Sequence, residues 1–560
     1  GNVRIRDVDQ FQFTMAMAAF LVRMLLVFVF QVGYVDAKMN FLLIAVDDLR
    51  PQFGQSFATP EVITPNIDGF FLGRNGSAMQ HSYVQIAVCG PSRSSILTGR
   101  RPDSTWVTNT GEGWCWCLRG RFLSIPRYLK QQGYVTAGNG KIFHPEACTK
   151  LYNDTHANGD DYGAWTEPYF PEPECVQWGS VPCPQDAANN GTMGLSFAES
   201  SLSDDQITDG QLALNAIARF NSFSARGIGK AGGKPFFHAV GLHKPHLPHI
   251  VPKKYFDMYP GEISLPPNPN VPVGFKEENW HADGNFEMES YNNNHFGKNL
   301  SFDVHVNATR TRALRRGYFA AVSFVDVQIG NVVSALESNG YMDNTVVALW
   351  SDHGWHLGDT NSWCKMTNFE TAARNTLLWR VPGQTLSSQG KNTRMTEMID
   401  FYPTVIDLLS LPPLPRCQGL DQPPTVDCLQ GESYADEFIP ALLTITTTAT
   451  TATTTATAIT STRTSTSTPK LYAFTQWPYP AIKGMTDVLR MGYTVRSADG
   501  YRLTQYVPYD KTTHRGSWGV GAVATDDLEL YDYNTDYWET HNYASNASYT
   551  AIVTKLKAVL

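Results

Sequence analysis

Asn40-Phe41-Leu42-Leu43-Ile44-Ala45-Val46-Asp47-Asp48 is an unbroken apolar run that stops on two adjacent carboxylates. A strand with one wet face alternates apolar and polar residues. A run without alternation predicts a strand buried on both faces, as in a parallel sheet covered by helices. Thr345 to Trp350 repeats the pattern and ends in Ser351-Asp352-His353, and Pro235 to Val240 leads through Gly241 into His243-Lys244-Pro245-His246. A helical period from about Arg315 to Glu337, closed near Asn339-Gly340, precedes the second of these strands and makes a helix-then-strand unit. Three polar clusters thus follow three strand ends, where open α/β sheets place their sites.

The 560 residues, 42% hydrophobic and 12% aromatic, can bury a large core and suggest more than one domain. A net charge of -8 excludes a general basic surface and, with it, nucleic-acid binding by broad electrostatics, so an anionic substrate requires a locally basic pocket. Residues 1–37 read as an N-terminal extension and signal peptide, in which apolar Met24 to Val35 follows Arg23 and runs into Val35-Asp36-Ala37 ahead of Lys38. Arg23 leaves this stretch short of the ~20 residues that a membrane span needs, so no stable membrane insertion is expected after cleavage. Sequons at Asn75, Asn153, Asn190, Asn299, Asn307 and Asn546 suit a glycosylated product of the secretory pathway, extracellular or lysosomal/vacuolar. Nine cysteines fit an oxidising compartment. The close pairs Cys175/Cys183 and Cys417/Cys428 lie in Pro-rich loops that suit short disulfides, and the odd count leaves a thiol over, for which Cys89 is the candidate.

Residues 444–469 are nearly all Thr, Ala, Ser and Ile without amphipathic period and read as an extended linker. It separates a catalytic domain, 38–443, from a C-terminal piece, 470–560. There Arg490 to Arg496 and Tyr501 to Tyr506 flank Asp499-Gly500 as a hairpin, which predicts a small antiparallel β unit.

Cys89-Gly90-Pro91-Ser92-Arg93 places proline where the first turn of a helix accepts it, so Cys89 falls at a helix N-terminus. Unpaired amides there favour an anion, and Arg93 adds positive charge one turn on. Asp47, Asp48 and Asp352 supply hard oxygen for Ca²⁺ or Mg²⁺. His243, His246 and His249 recur every third residue, but Pro245 and Pro248 oppose a helix that would align the rings, so the segment reads as a loop with His243 alone in the chemistry.

Cys-x-Pro-Ser-Arg followed by Thr98-Gly99 resembles the sulfatase signature. Val46 to Pro51, Thr98 to Asp103, Gly140 to Pro145, His243 to His246 and Ser351 to Trp355 are similar, in order, to the iduronate-2-sulfatase group, as are Gln476-Trp477-Pro478 and Met491-Gly492-Tyr493. The resemblance implies an alkaline-phosphatase-like α/β sandwich, with a large mixed or parallel central sheet flanked by helices and a smaller C-terminal antiparallel sheet. It implies oxidation of Cys89 to formylglycine by the formylglycine-generating enzyme, and one Ca²⁺ held by Asp47, Asp48, Asp352, His353 and position 89. In that scheme one hydroxyl of the hydrated aldehyde attacks sulfur and the other drives collapse of the sulfated intermediate. His144 takes the second proton, Lys141 and Lys365 hold sulfate oxygens, Arg93 orients the hydrated aldehyde, and His243 protonates the leaving oxygen.

The implied substrate is a sulfated sugar, such as a uronate-2-sulfate of a glycosaminoglycan-like polysaccharide. Departures from the group fall at His356 to Lys365, at Arg374-Asn375-Thr376 ahead of the strand at Leu377, and at Trp106 to Arg119, all expected to lie near the pocket. Two rival readings are a phosphodiesterase or phosphonate hydrolase of the same superfamily, and a secreted sulfated-glycan-binding protein without turnover.

Overall fold

A computed structural model describes residues 38–108, 122–144, 161, 163–172, 196–279, 287–288, 302, 304–384, 389–419, 427–438, 468–479, 488–510, 512–518 and 527–560. Strands β1 (Asn40–Val46), β2 (Ser77–Tyr83), β3 (Val135–Gly140), β5 (Phe236–Leu242), β7 (Thr345–Ser351), β10 (Leu377–Arg380) and β11 (Gly390–Glu397) form a seven-stranded sheet in the order β11-β2-β10-β7-β1-β5-β3. Only β10 runs against its neighbours, so β7, β1, β5 and β3 are a parallel block. Two side pairs complete this part: β4 (Phe197–Ser200) with β6 (His249–Pro252), and β8 (His356–Leu357) with β9 (Trp363–Cys364).

All seven residues of β1 are buried, and the period of two sorts them between two cores. Leu42, Ile44 and Val46 enter the layer that holds Phe220 and Phe223 of one helix and Val322, Val325 and Ile329 of another. Phe41, Leu43 and Ala45 enter the opposite layer with Ile96, Leu97, Leu129, Val405 and Ile406. Apolar residues at every position therefore mark a central strand with helices on both faces. The helices are α1 (Pro65–Phe71), α2 (Cys89–Thr98), α3 (Ile125–Gln131), α4 (Thr208–Ala225), α5 (Ala308–Ser338) and α6 (Phe401–Leu408).

Helix α5 begins a full two turns before the periodic stretch read from sequence, because Asn307 caps it by accepting from the Arg310 amide at 3.0 Å. Ala308, Thr309 and Arg310 are exposed and carry no apolar period. The helix is long and apolar enough to cross a membrane, yet 83% of its most apolar window is buried against the sheet, which makes it a core helix.

The C-terminal strands β12 (Tyr472–Tyr479), β13 (Arg490–Ser497), β14 (Tyr501–Asp510), β15 (Arg515–Gly516) and β16 (Leu528–Asp532) form an antiparallel sheet with the hairpin at Asp499-Gly500, where Gly500 has φ 98°. Val495, Leu503, Leu528 and Leu530 pack on Leu556 of a last helix, α7 (Thr550–Lys557). This sheet is bound to the seven-stranded part by charge: Lys470, just before β12, reaches Glu397 (2.8 Å) and Asp400 (2.7 Å), and Arg502 donates to the Asn368 carbonyl (2.7 Å). Most of the Thr-rich stretch lies outside the described residues, as do Cys175 and Cys183. Cys417 and Cys428 form a disulfide, while Cys89 and Cys364 are free and buried.

Candidate active site

The parallel block delivers its polar residues to one edge. Strand β1 ends in Asp47 and Asp48, β7 in Asp352 and His353, β5 in His243, and β3 in Lys141 and His144. Backbone bonds hold the loops in place as the strands end: the Asp47 amide donates to Leu242 (3.1 Å) and the Lys141 amide to Gly241 (3.2 Å). Asp48 has φ 60°, an unusual value for a non-glycine. Its amide donates to Asp352 Oδ1 (3.1 Å), and its carbonyl accepts from the Tyr318 hydroxyl (2.7 Å), which over-determine the strained backbone.

Helix α2 supplies the remaining groups. Val88 is extended, Cys89 is the first helical residue, and Pro91 occupies a position whose amide needs no partner. The helix stops at Gly99, φ 65°, where a Cβ would lie 2.8 Å from Leu429. Every residue of α2 is buried, so the helix N-terminus is fixed under the sheet edge.

Cys89 Sγ lies 3.3 Å from His353 Nε2 and 4.0 Å from Asp48 Oδ1. Asp48, Cys89, Asp352 and His353 bring their ligand atoms within 4.8 Å of one another, and Asp47, Asp48, Cys89 and His246 form an overlapping group. Arg93 bridges the carboxylates from behind, with Nε to Asp352 (2.9 Å) and Nη2 to Asp47 (3.0 Å). Lys141 Nζ meets Asp47 (2.5 Å), and Lys365 Nζ meets Asp48 (3.2 Å) and Glu287 (2.9 Å). His353 Nδ1 is 2.8 Å from the Gly354 carbonyl, which leaves Nε2 facing the carboxylates.

The charges divide the pair at the end of β1. Burial would raise the Asp47 carboxyl, but Lys141, His246 and Arg93 hold it well below the ordinary range. For Asp48, burial together with the like charges on Asp47, Asp352 and Glu287 wins over Lys365 and pushes the carboxyl well up. Burial also pushes the Cys89 thiol up. Burial and Lys141 push His144 well down, so its imidazole is neutral and able to accept a proton.

Several residues at this edge receive no role from the motifs. His246, set aside in the sequence reading, is buried beside the cluster, with Nε2 3.9 Å from Asp48 and 3.5 Å from Glu287, and its ring is 4.8 Å from that of His243. Glu287 arrives from a helical pair, residues 287–288, remote in sequence, Glu172 faces His243 Nδ1 at 3.3 Å, and Asp209 accepts from the His243 amide at 2.5 Å. His249 stays outside, in β6 against Tyr318 and Trp355.

The three departures from the group pattern separate. Residues His356 to Lys365 form the β8/β9 hairpin, in which Thr360, Asn361 and Cys364 have positive φ, and Asp359 pairs with Arg50 at 2.8 Å. This hairpin turns Lys365 back onto Asp48. Asn375 and Thr376 are fully buried and join strand ends: Asn375 Nδ2 donates to the Ser351 carbonyl (2.7 Å), and Thr376 Oγ1 donates to that of Leu49 (2.8 Å). They brace the sheet and bond to no residue of the cluster. Trp106 is exposed and stacks on His514, and residues 109–121 lie outside the described residues.

A mixed sheet with this edge defines the alkaline-phosphatase-like class of fold. The phosphonate monoester hydrolase of Agrobacterium radiobacter matches it with TM-score 0.65 at 18% identity, over 93% of this chain and 94% of its own. A 2-O GAG sulfatase matches with TM-score 0.62 at 16% identity, over 93% and 91%. Within that class the chain belongs to the sulfatase family, whose model, Sulfatase, matches residues 39–411. Iduronate 2-sulfatase of Mus musculus is 29% identical over 555 residues, spanning 93% of each chain. Hydrolysis of sulfate esters is therefore the class of activity to which the edge is adapted.

Proposed function

We propose that this chain removes sulfate from a sulfated sugar, using a nucleophile made by oxidising Cys89 to formylglycine. The observation that carries the proposal is the position of Cys89, at a helix N-terminus between four potential metal ligands and two buried lysines. A thiol whose pKa is pushed up is a poor nucleophile, so the unmodified side chain does not account for the charge around it. The hydrated aldehyde would supply an oxygen nucleophile there.

The donor set fits a hard divalent cation. Asp47, Asp48 and Asp352 bring carboxylate oxygen into a buried space, and the raised Asp48 carboxyl reflects burial first and then repulsion from Asp47, Asp352 and Glu287, which a bound cation would offset. With His353 and position 89 they would hold Ca²⁺, which supplies charge neutralisation for the nucleophilic oxygen. Imidazole is the less usual partner for calcium. Arg93 fixes the carboxylates from behind, Lys141 and Lys365 hold sulfate oxygens, His144 accepts a proton from the hydrated aldehyde, and His243 gives one to the leaving oxygen.

The full-length similarity to iduronate 2-sulfatase favours a uronate-2-sulfate in a glycosaminoglycan-like polysaccharide. The secretory route carries the protein past the formylglycine-generating enzyme. Its supports are the signal-peptide pattern, the Cys417–Cys428 disulfide, and sequons Asn75, Asn307 and Asn546 on exposed positions. The proposed organisation is a catalytic domain, 38–443, a Thr-rich linker, 444–469, and a C-terminal subdomain, 470–560.

A second reading, phosphodiester or phosphonate hydrolysis, is favoured by the likeness to phosphonate monoester hydrolase. A mass spectrum of the secreted protein's Cys89 peptide, with turnover of 4-nitrophenyl sulfate against bis(4-nitrophenyl) phosphate, tests both. Formylglycine with preference for the sulfate is the expected result. An unmodified thiol throughout refutes the mechanism, and preference for the phosphodiester moves the assignment to the second reading.

A further inference from the structure

The loop that carries His243 is held at two points by two carboxylates from different parts of the chain. Asp209, in the first turn of α4, accepts from the backbone amides of His243 (2.5 Å) and Lys244 (3.3 Å), which fixes the main chain after β5. Glu172 fixes the ring, with its Oε1 3.3 Å from His243 Nδ1. Neither carboxylate belongs to a motif, and Glu172 lies 71 residues before its partner.

Glu172 is itself anchored. Two residues earlier, Phe170 pairs with the end of β3, its amide donating to Gly138 (3.1 Å) and its carbonyl accepting from Gly140 (2.9 Å). The same short segment thus ties to the strand that presents Lys141 and His144. Both partners are enclosed, with side-chain exposures of 7% for Glu172 and 9% for His243, so water competes little for the contact. The groups facing the His243 ring and backbone are Glu172, Asp209 and the ring of His246.

We propose that Glu172 is a positioning residue for His243: by accepting the Nδ1 proton it fixes the ring and makes Nε2 the nitrogen that hands a proton to the leaving oxygen. The inference rests on His243 acting as the acid in the reaction proposed above. In that step the bond between sulfur and the leaving oxygen breaks, and its electron pair goes to oxygen. That oxygen takes the Nε2 proton and departs as the alcohol. The Nδ1 proton stays on the hydrogen bond to Glu172, and solvent returns a proton to Nε2 before the next turnover. Burial opposes the Glu172 charge, but His243 and Lys141 hold its carboxyl below the ordinary value, so it is an acceptor at neutral pH. A carboxylate that fixes an imidazole tautomer is a general device for assigning roles to the two ring nitrogens.

The test uses leaving groups of different quality. A good leaving group departs without a proton, whereas a poor one needs the acid. Glu172→Gln, Glu172→Asp and His243→Ala are compared with the parent enzyme on 4-nitrophenyl sulfate and on phenyl sulfate. Glu172→Gln should lower kcat on phenyl sulfate by about 100-fold, with KM little changed, and kcat on 4-nitrophenyl sulfate by less than about threefold. Glu172→Asp should recover part of the loss, and adding Glu172→Gln to His243→Ala should cost nothing further, because the two act as one unit. Equal losses on both esters, or a full additive loss in the double variant, would overturn the proposal and leave Glu172 a structural contact. A parent enzyme inert toward both esters and toward a uronate-2-sulfate disaccharide would instead sink the sulfatase reading itself. If Glu172→Gln fails to fold, the slope of rate against leaving group in Glu172→Asp decides alone: an unchanged slope refutes the role.

Discussion

Glu397 is the residue whose loss should do most to separate the C-terminal sheet from the catalytic part. Its side chain is 1% exposed and takes both Arg101 guanidinium nitrogens (2.7 and 2.8 Å), Lys470 Nζ (2.8 Å) and the Phe474 amide (3.0 Å). Lys470 and Phe474 lie beyond the Thr-rich stretch and Arg101 just after α2, so one carboxylate joins both parts. Glu397→Gln keeps size and an acceptor but removes the charge. Breaking a buried pair costs roughly 3–5 kcal/mol, mainly because the partner is left uncompensated. Lys470 retains Asp400 at 2.7 Å, and Arg101 is 24% exposed, so the lower end applies, about 3 kcal/mol. Urea unfolding of the intact chain measures it, and limited proteolysis should release a C-terminal fragment sooner. Acid provides an internal check: burial opposes the charge, but Arg101 and Lys470 lower the carboxyl from 4.5 to about 2. A lowered carboxyl stabilises the fold above 4.5 and loses that contribution as pH falls toward 2, so the variant's stability should decline less over that window. A change under about 0.5 kcal/mol, the scale of an ordinary surface substitution, would refute the clasp.

Cys89→Ala should abolish sulfate-ester turnover while leaving secretion and unfolding midpoint close to those of the parent; measurable activity in the purified variant would contradict the assignment. Any unconverted Cys89 thiol, buried and with its pKa pushed up, should resist iodoacetamide at neutral pH in the folded protein and react once it is unfolded, which peptide mass spectrometry reads directly. Asp352→Asn removes both a carboxylate of the proposed metal group and the charged partner of Arg93 Nε, and should cut activity by about 100-fold, with partial return in excess calcium; equal sensitivity of parent and variant to a calcium chelator would argue against the ligand role. Burial raises the Glu529 carboxyl from 4.5 to about 7. A raised carboxyl favours the fold while protonated, so stability should fall as pH rises from 4.5 to about 7, by up to about 3 kcal/mol. Glu529→Gln should remove that slope and be the more stable protein above neutral pH, as thermal unfolding across pH would show.

What the sequence made legible is what is periodic or local. Strand β1 is apolar from Phe41 to Val46 because both its faces are covered, and its end is marked because Asp47 and Asp48 cannot continue into either core. The helix start at Cys89 shows through Pro91, because proline restricts the backbone in a way that neighbours do not alter. The start of α5 was hidden for the opposite reason: its first three residues are exposed and the next turn buries Thr311 with Leu314, so only the Asn307 cap marks the start, and one asparagine is a weak sign. The β8/β9 hairpin was opaque because, Gly358 and Asn361 apart, its positive φ values fall on Thr360 and Cys364, residues that do not announce them.

The site divides along the same line. Asp47, Asp48, Cys89, Asp352 and His353 each sit on or next to a strand or helix terminus, where composition changes abruptly. Glu172 and Asp209 hold His243, Glu287 meets Lys365 and His246, and His246 lies beside Asp48; what selects these residues is distance in space. Pro245 and Pro248 rule out a helix through the histidines, as the sequence indicated, but the same turn that breaks the helix brings His246 beside Asp48 while β6 takes His249 away. The direction of a side chain in an irregular loop is set by what holds the loop, here Asp209 and Glu172. A carboxylate that meets an imidazole, as Glu172 does, or two backbone amides, as Asp209 does, obeys no spacing rule, so it becomes visible only when the fold is known.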